Sequence, residues 1–238
     1  MANFIVTMGG SEQGQNRHNT SYGIHRDYTA EALRLFDSAP HNYAKILSTN
    51  TSVKHNQYCG YEEAQKVLEQ PSMGWAFKSI AIRQALNQME DNDFLLWCDS
   101  NHVIVGDLGI IKNLAQQNNI FCHDHTPTKY SNSQWTKRDT FIAMECDSER
   151  YWRSLQMQVN VMGFVKNKFV EKFVDEWLLY CLKYDVIIGN NVHANLPDFI
   201  EHRHEQSIFS ILIEKYRIPY SAMPQGIIHE KQGIDTHE

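Results

Sequence analysis

Residues 94–98 read Phe-Leu-Leu-Trp-Cys, an unbroken apolar run held between Asp91-Asn92-Asp93 on one side and Asp99-Ser100-Asn101 on the other. A strand with one wet face alternates apolar and polar residues. A strand with no polar member has to be covered on both faces, as strands are in parallel sheets flanked by helices. The chain around this run alternates accordingly. Apolar runs that suit strands occur at 4–8, 44–48, 119–122, 141–145 and 159–165, and helical spacing at 29–36, 61–69, 78–90, 108–117, 169–182 and 207–216. This order implies a three-layer α/β/α domain with a mainly parallel central sheet. No linker or composition shift divides it, so one domain over residues 1–238 is expected, with a polar tail at about 225–238.

Charge and composition narrow the function classes. Lys+Arg 22 against Asp+Glu 28 gives a net charge of -6 with no basic cluster, which disfavours a nucleic-acid partner. The start of the chain lacks a basic leader, and the longest apolar stretch, at 177–188, is broken by Lys183 and Asp185, so neither a signal peptide nor a transmembrane segment is expected. Cys59, Cys98, Cys122, Cys146 and Cys181 are odd in number and isolated, which points to a reducing compartment and a cytoplasmic location. Sequons at 19–21 and 50–52 are matches common by chance.

Four segments can carry chemistry. In an open α/β sheet ligands bind outside the carboxyl ends of the strands, where Asp99, Ser100 and Asn101 fall. Asp99 and Asn101 can offer oxygens to one divalent ion, or the three residues can form a strand-ending turn. Residues 199–212 place His202, Arg203, His204, Glu205 and Gln206 just before an amphipathic helix, whose start favours anions. A histidine there can ligate a metal and Glu205 can take a proton, or the run is a solvated cap. Residues 134–147 bring Lys137, Arg138 and Asp139 together, for phosphate and sugar contacts or for a surface ion pair. Residues 74–86 lead from Gly-Trp-Ala-Phe into a helix with Lys78 at its start, a phosphate partner by charge. The adjacent Cys122, His123, Asp124 and His125 lack zinc-like spacing. Walker A, dinucleotide-glycine, Gly-x-Ser-x-Gly and His-Glu-x-x-His motifs are missing.

Taken in order, FIVTMGG, GWAFKSIAIRQAL, DNDFLLWCDSN, WTKRD, the isolated Gln156, FVDEWLLYC and PDFIEHRHEQSIFSIL resemble short glycosyltransferases of the GT-A fold from polysaccharide and viral glycan biosynthesis. The resemblance runs over residues 4–216. It implies transfer of a hexosyl or pentosyl unit from a UDP- or GDP-linked donor, a nucleotide-diphosphate sugar, to a hydroxyl of an oligosaccharide or polysaccharide acceptor. It also implies a divalent metal, Mn2+ or Mg2+, on Asp99, Asn101 and His204, with Asn101 departing from the usual Asp-x-Asp. Glu205 becomes the base if the displacement inverts configuration, or orients acceptor or donor hydroxyls if it retains configuration, and Lys78, Arg138 and Ser100 join Asp99 around the donor. Thr7, Gly9 and Gly10 let backbone approach the nucleotide, while Asp139, Gln156 and His202 read sugar hydroxyls. The loop at 123–137 is expected to cover the site. Two other readings compete: a metal-dependent hydrolase built on Asp99, His123, His125, His202 and His204, and a non-catalytic carbohydrate-binding protein of the same fold.

Overall fold

The computed structural model describes residues 1–9, 27–55, 57–70 and 73–231; Gly10 and the sequon at 19–21 lie outside them. In chain order the elements are β1 (Asn3–Met8), α1 (Tyr28–Ser38), β2 (Tyr43–Ser48), α2 (Asn50–Lys54), α3 (Glu62–Leu68), α4 (Phe77–Leu86), β3 (Phe94–Cys98) and β4 (His102–Ile104). They continue with α5 (Gly109–Asn118), β5 (Ile120–Asp124), α6 (Asn132–Trp135), α7 (Arg138–Ala143), α8 (Glu149–Trp152) and β6 (Met157–Val165). The last are α9 (Lys168–Cys181), α10 (Tyr184–Ile187), α11 (His204–Tyr216) and β7 (Ile228–Glu230).

The central sheet has 5 strands in the order β2-β1-β3-β6-β5. β1 pairs in parallel with β2 and β3, and β6 runs antiparallel between β3 and β5. β6 therefore opposes the common direction of the other strands, and the sheet is mainly parallel. The apolar run of β3 is buried at every position. Its alternate residues serve opposite faces: Leu95 and Trp97 join a core with α4, α9 and α11, while Phe94, Leu96 and Cys98 join a second core with α1 and α5. Each large apolar side chain removed from water here contributes roughly 1.5–3 kcal/mol. That burial fixes the strand firmly enough to hold a charged residue at its tip.

Two expectations are corrected. Of residues 141–145, read as a strand, 141–144 belong to helix α7 and its cap and Glu145 follows in a turn. Phe141 and Met144 are buried while Ile142 and Ala143 face solvent, the spacing of a helix, and Thr140 Oγ1 donates to the Val186 carbonyl at 2.7 Å. The expected tail at 225–238 also starts too early. Ile227 is buried, and β7 pairs antiparallel with β4 through His102↔Glu230 and Ile104↔Ile228. Gly106 permits this approach, since a Cβ there would meet the Gly226 carbonyl oxygen at 2.3 Å. Among the described residues no helix is long and apolar enough to cross a membrane. Cys98, Cys122, Cys146 and Cys181 are free thiols in the interior.

Candidate active site

At the carboxyl end of β3 the chain turns, and Asp99 is the first residue past the strand. Its carboxylate accepts from Trp97 Nε1 at 2.9 Å and takes the Lys78 ammonium at 3.0 Å on Oδ1 and 3.2 Å on Oδ2. Lys78 stands in the first turn of α4, just beyond a left-handed turn in which Met73, Gly74 and Trp75 have φ of 51°, 52° and 55°. Left-handed backbone costs a side-chain-bearing residue about 1–2 kcal/mol, and packing against Ile187 and Ile188 leaves little room for any side chain at Gly74. Lys78 is buried, and its Nζ also donates to the Val159 carbonyl at 3.2 Å.

On the other side of the same ammonium, at 3.6 Å, lies Glu205 Oε1. Glu205 is in the first turn of α11 and is buried. Arg203 N–H donating to Ser207 Oγ (3.1 Å), Ser207 Oγ–H donating to the Trp135 carbonyl (2.6 Å) and Trp177 Nε1 donating to the Glu205 carbonyl (3.0 Å) fix this turn. Burial raises the Glu205 carboxyl from 4.5 to about 7; Lys78 opposes that rise, and the Asp99 charge adds to it. Burial by itself would lower Lys78, but Asp99 and Glu205 outweigh it and hold the ammonium above the usual lysine value. The result is an ammonium between two carboxyl groups, one partly exposed and one buried.

Two cavities meet at this group. The first, of about 180 Å³, is bounded among others by Thr7, Gly9, Trp75, Lys78, Asp99 and Ser100. The second, of about 210 Å³, is bounded by Trp75, Lys78, Asp99, Asn160, Arg203, His204, Glu205 and Gln206. Trp75, Lys78 and Asp99 form their common wall. Thr7 Oγ1 is buried with no hydrogen-bond partner among the described residues. A Cβ at Gly9 would meet Leu47 Cδ1 at 2.6 Å, so the close approach that glycine permits here is to the neighbouring strand β2. Ser100 Oγ donates to Glu31 Oε2 at 3.3 Å.

The sequence-derived site is therefore gathered in part. Thr7, Gly9, Lys78, Asp99, Ser100, Asn101, His204 and Glu205 border the two cavities, whereas Arg138, Asp139 and His202 do not. Arg138 pairs with Asp147 through Nε (3.2 Å) and Nη2 (3.1 Å). Asp139 accepts from the Val192 and His193 backbone N–H groups at 2.7 and 3.2 Å and from His193 Nδ1 at 2.5 Å, which ties down an exposed loop. His202 Nδ1 accepts the Lys137 N–H at 3.4 Å. Gln156 is buried in a neighbouring cavity, with Nε2 donating to Thr136 Oγ1 at 3.0 Å. Trp75, which belongs to the segment 74–86 already singled out, and Asn160, which the sequence reading passed over, line the site.

A divalent ion needs several convergent oxygen or imidazole ligands, and the donors here do not fit one. The Asp99 carboxylate is engaged by Lys78 and Trp97. Asn101 donates to Glu230 Oε1 at 2.8 Å and holds His102 Nδ1 at 2.8 Å with its oxygen. His204 Nδ1 donates to the Ile187 carbonyl at 2.7 Å, and its ring lies tilted against Trp75 at a centroid distance of 5.2 Å. Among the described residues no group of three His, Cys, Asp or Glu could hold a metal. The ligand set of the hydrolase reading is dispersed as well: His123 Nε2 is bonded to Asn160 Oδ1 at 3.1 Å, and His125 Nε2 lies 3.3 Å from Gln206 Nε2.

No protein-family model matches the chain, and no curated protein matches it in sequence. Among solved structures it is similar to mouse xyloside xylosyltransferase 1 in its apo form, at 11% identity and a TM-score of 0.50, over 94% of this chain and 85% of that one. At that identity the likeness concerns the fold: this chain has a glycosyltransferase-like α/β fold with a mainly parallel central sheet.

Proposed function

We propose that the protein is a single-domain glycosyltransferase that moves a sugar from a nucleotide-diphosphate donor to a hydroxyl of a carbohydrate acceptor. The observation that carries this reading is the Asp99–Lys78–Glu205 group at the junction of two cavities, on a glycosyltransferase-like fold. The first cavity, at the carboxyl ends of β1 and β3, takes the donor, where ligands of open α/β sheets bind. The second takes the acceptor.

In such a transfer negative charge gathers on the departing diphosphate, and stabilising it is the main electrostatic task. Lys78 supplies a fixed positive charge at the common wall, already desolvated and oriented by Asp99 and the Val159 carbonyl. Glu205, with its carboxyl near 7, is ionised in a large share of molecules at neutral pH and basic enough to take the acceptor proton. A base on the acceptor side corresponds to inversion at the anomeric carbon. No step is assigned to a metal, because the described residues do not form a site for one. The name of the solved neighbour describes transfer of xylose, so a pentosyl donor belongs beside the hexosyl ones in any test.

The test is turnover of UDP-, GDP-, CMP- and dTDP-linked sugars, with release of the nucleotide as readout. The expected result is turnover of one base class that falls at least about 100-fold in Glu205→Gln, the scale of a general-base effect. Turnover unaffected by Glu205→Gln would reject the assignment of the base, and no turnover of any donor would reject the enzyme.

A further inference from the structure

A third cavity, of about 190 Å³, adjoins the second and is bounded by His125, Tyr130, Trp135, Gln156, Arg203 and Gln206. It shares Arg203 and Gln206 with the cavity that Glu205 faces, and that cavity in turn shares Trp75, Lys78 and Asp99 with the first. The second space thus adjoins both of the others. Glycosyl transfer to a single sugar would use only the first two. We infer that the third cavity is an outer acceptor subsite that holds a pyranose ring one unit beyond the hydroxyl presented to Glu205, so that the acceptor is at least a disaccharide. This rests on the glycosyltransferase reading and extends it to the length of the substrate.

The lining has the chemistry of a sugar site. A pyranose offers apolar C–H faces and a rim of hydroxyls, which calls for aromatic walls with a few placed polar groups. Tyr130 meets His125 edge-on at a centroid distance of 5.2 Å and Trp135 at 5.3 Å, giving a bent aromatic wall. Arg203 lies over the Trp135 ring, 4.5 Å from its centroid, and pairs with Glu201 at 3.0 Å. These two contacts orient the guanidinium, which can offer an N–H to a ring hydroxyl. Gln156 is fixed by Thr136 Oγ1 at 3.0 Å and accepts from Ser210 Oγ at 3.3 Å. Gln206 reaches Gln156 Oε1 and His125 Nε2 only at 3.3 Å each, bonds long enough to be exchanged for hydroxyls. Among the described residues no carboxylate lines the cavity, which disfavours a cationic ligand.

The cavity is also a built feature. Residues 123–137, expected as a loop that covers the site, contain helix α6. A capping box fixes its start, with Ser131 N–H donating to Gln134 Oε1 at 3.2 Å. Gln156 N–H donates to the Tyr130 carbonyl at 2.9 Å and Asn132 N–H to the Ser154 carbonyl at 2.8 Å, which pins the segment to the approach of β6. Tyr130 and Trp135 are held in place by backbone bonds that side-chain substitution leaves intact.

The experiment is saturation-transfer NMR on the full chain with paired probes: methyl glucoside, galactoside, mannoside and xyloside, each against disaccharides that contain the same ring. The expected result is one disaccharide that binds at least about ten-fold more tightly than either of its monosaccharides, equivalent to about 1.4 kcal/mol. That advantage should disappear in Tyr130→Ala and in His125→Ala, with thermal unfolding midpoints kept as a check on folding. No advantage for any disaccharide, or an advantage that survives both substitutions, would overturn the subsite. Uridine or guanosine competing with the disaccharide in a manner sensitive to Tyr130→Ala would overturn it too, by making the cavity a base pocket. The parent reading is tested separately by wild-type turnover of nucleotide sugars: turnover without a disaccharide advantage rejects the subsite alone, and the advantage without turnover rejects the enzyme alone.

Discussion

Replacing Lys78 by methionine keeps the length of the side chain and removes its charge, and the consequence for Glu205 can be worked from the geometry. The ammonium lies 3.6 Å from Glu205 Oε1. At an effective dielectric constant of about 20 the attraction between opposite unit charges at that separation is about 4–5 kcal/mol, or roughly three pK units at 1.36 kcal/mol each. Water entering the space offsets part of this, while Asp99, freed from its partner, pushes the carboxyl further up. Among the described residues, the Cys181 thiol from α9 also feels Glu205, and its neighbours Arg203 and His204 line the same cavity. None of them replaces the lost cation in the gap between the carboxyl groups. Glu205, near 7 in the native protein, should therefore rise by at least about one unit. If its ionised form takes the acceptor proton, the acidic limb of kcat/KM against pH moves to about 8 or above, on top of a fall in rate at every pH from the lost charge on the diphosphate. Lys78→Arg should keep the limb near its native position. A limb that stays in place or moves down in Lys78→Met would refute the coupling of these two residues.

Further outcomes follow from the same site. Asp99→Asn removes the charge that adds to the rise of Glu205, so the acidic limb should move downward, opposite to Lys78→Met, in the same pH-rate assay. Glu205 also carries a stability signature. Its folded value of about 7 lies above the ordinary 4.5, so its contribution is complete below about 4.5 and is lost as pH rises through about 7. The loss is about 3 kcal/mol, and Glu205→Gln should flatten this slope in urea unfolding between those limits. Asp93 accepts the Ala2 N–H at 2.5 Å and the Glu90 N–H at 3.0 Å, which joins the start of β1 to the turn before β3. Asp93→Ala should cost about 1–3 kcal/mol in chemical denaturation. Because the donors near Asp99 do not form a metal site, donor binding measured by calorimetry should change less than about two-fold when EDTA replaces manganese, an effect of about 0.4 kcal/mol; a ten-fold loss would contradict that reading.

What could be read from the sequence follows from where the information lay. The run at Phe94–Cys98 had no polar member, so burial on both faces, a flanked sheet and a charged residue at a carboxyl end all followed from one local pattern. The helix of Lys168–Cys181 was equally plain, since its apolar residues keep one spacing for its whole length. Glu205 was legible because a helix start is a local signal. The failures concern residues whose fate depends on distant partners. Arg138 and Asp139 have the composition of a phosphate and sugar site, but Asp147 and the 192–193 backbone take them first, and no spacing announces that competition. Phe141 and Met144 were too short a pattern to separate a helix turn from a strand. The pairing of β7 with β4 joins residues 101–106 to 226–231, a contact that only the folded chain reveals. Tyr130 and Trp135 sat in a segment read as a polar loop, and their role depends on Gln156 and Gln206 arriving from other elements.

The central claim is that the cavity at the tips of β1 and β3 holds a nucleotide sugar against Lys78 and Asp99. Isothermal titration of UDP-, GDP-, CMP- and dTDP-linked sugars into the wild-type protein and into Lys78→Met addresses it directly. The account predicts saturable one-to-one binding of one base class, weakened at least about ten-fold in Lys78→Met, a difference of about 1.4 kcal/mol. Equal binding by both proteins, or no heat from any of the four classes, would contradict it.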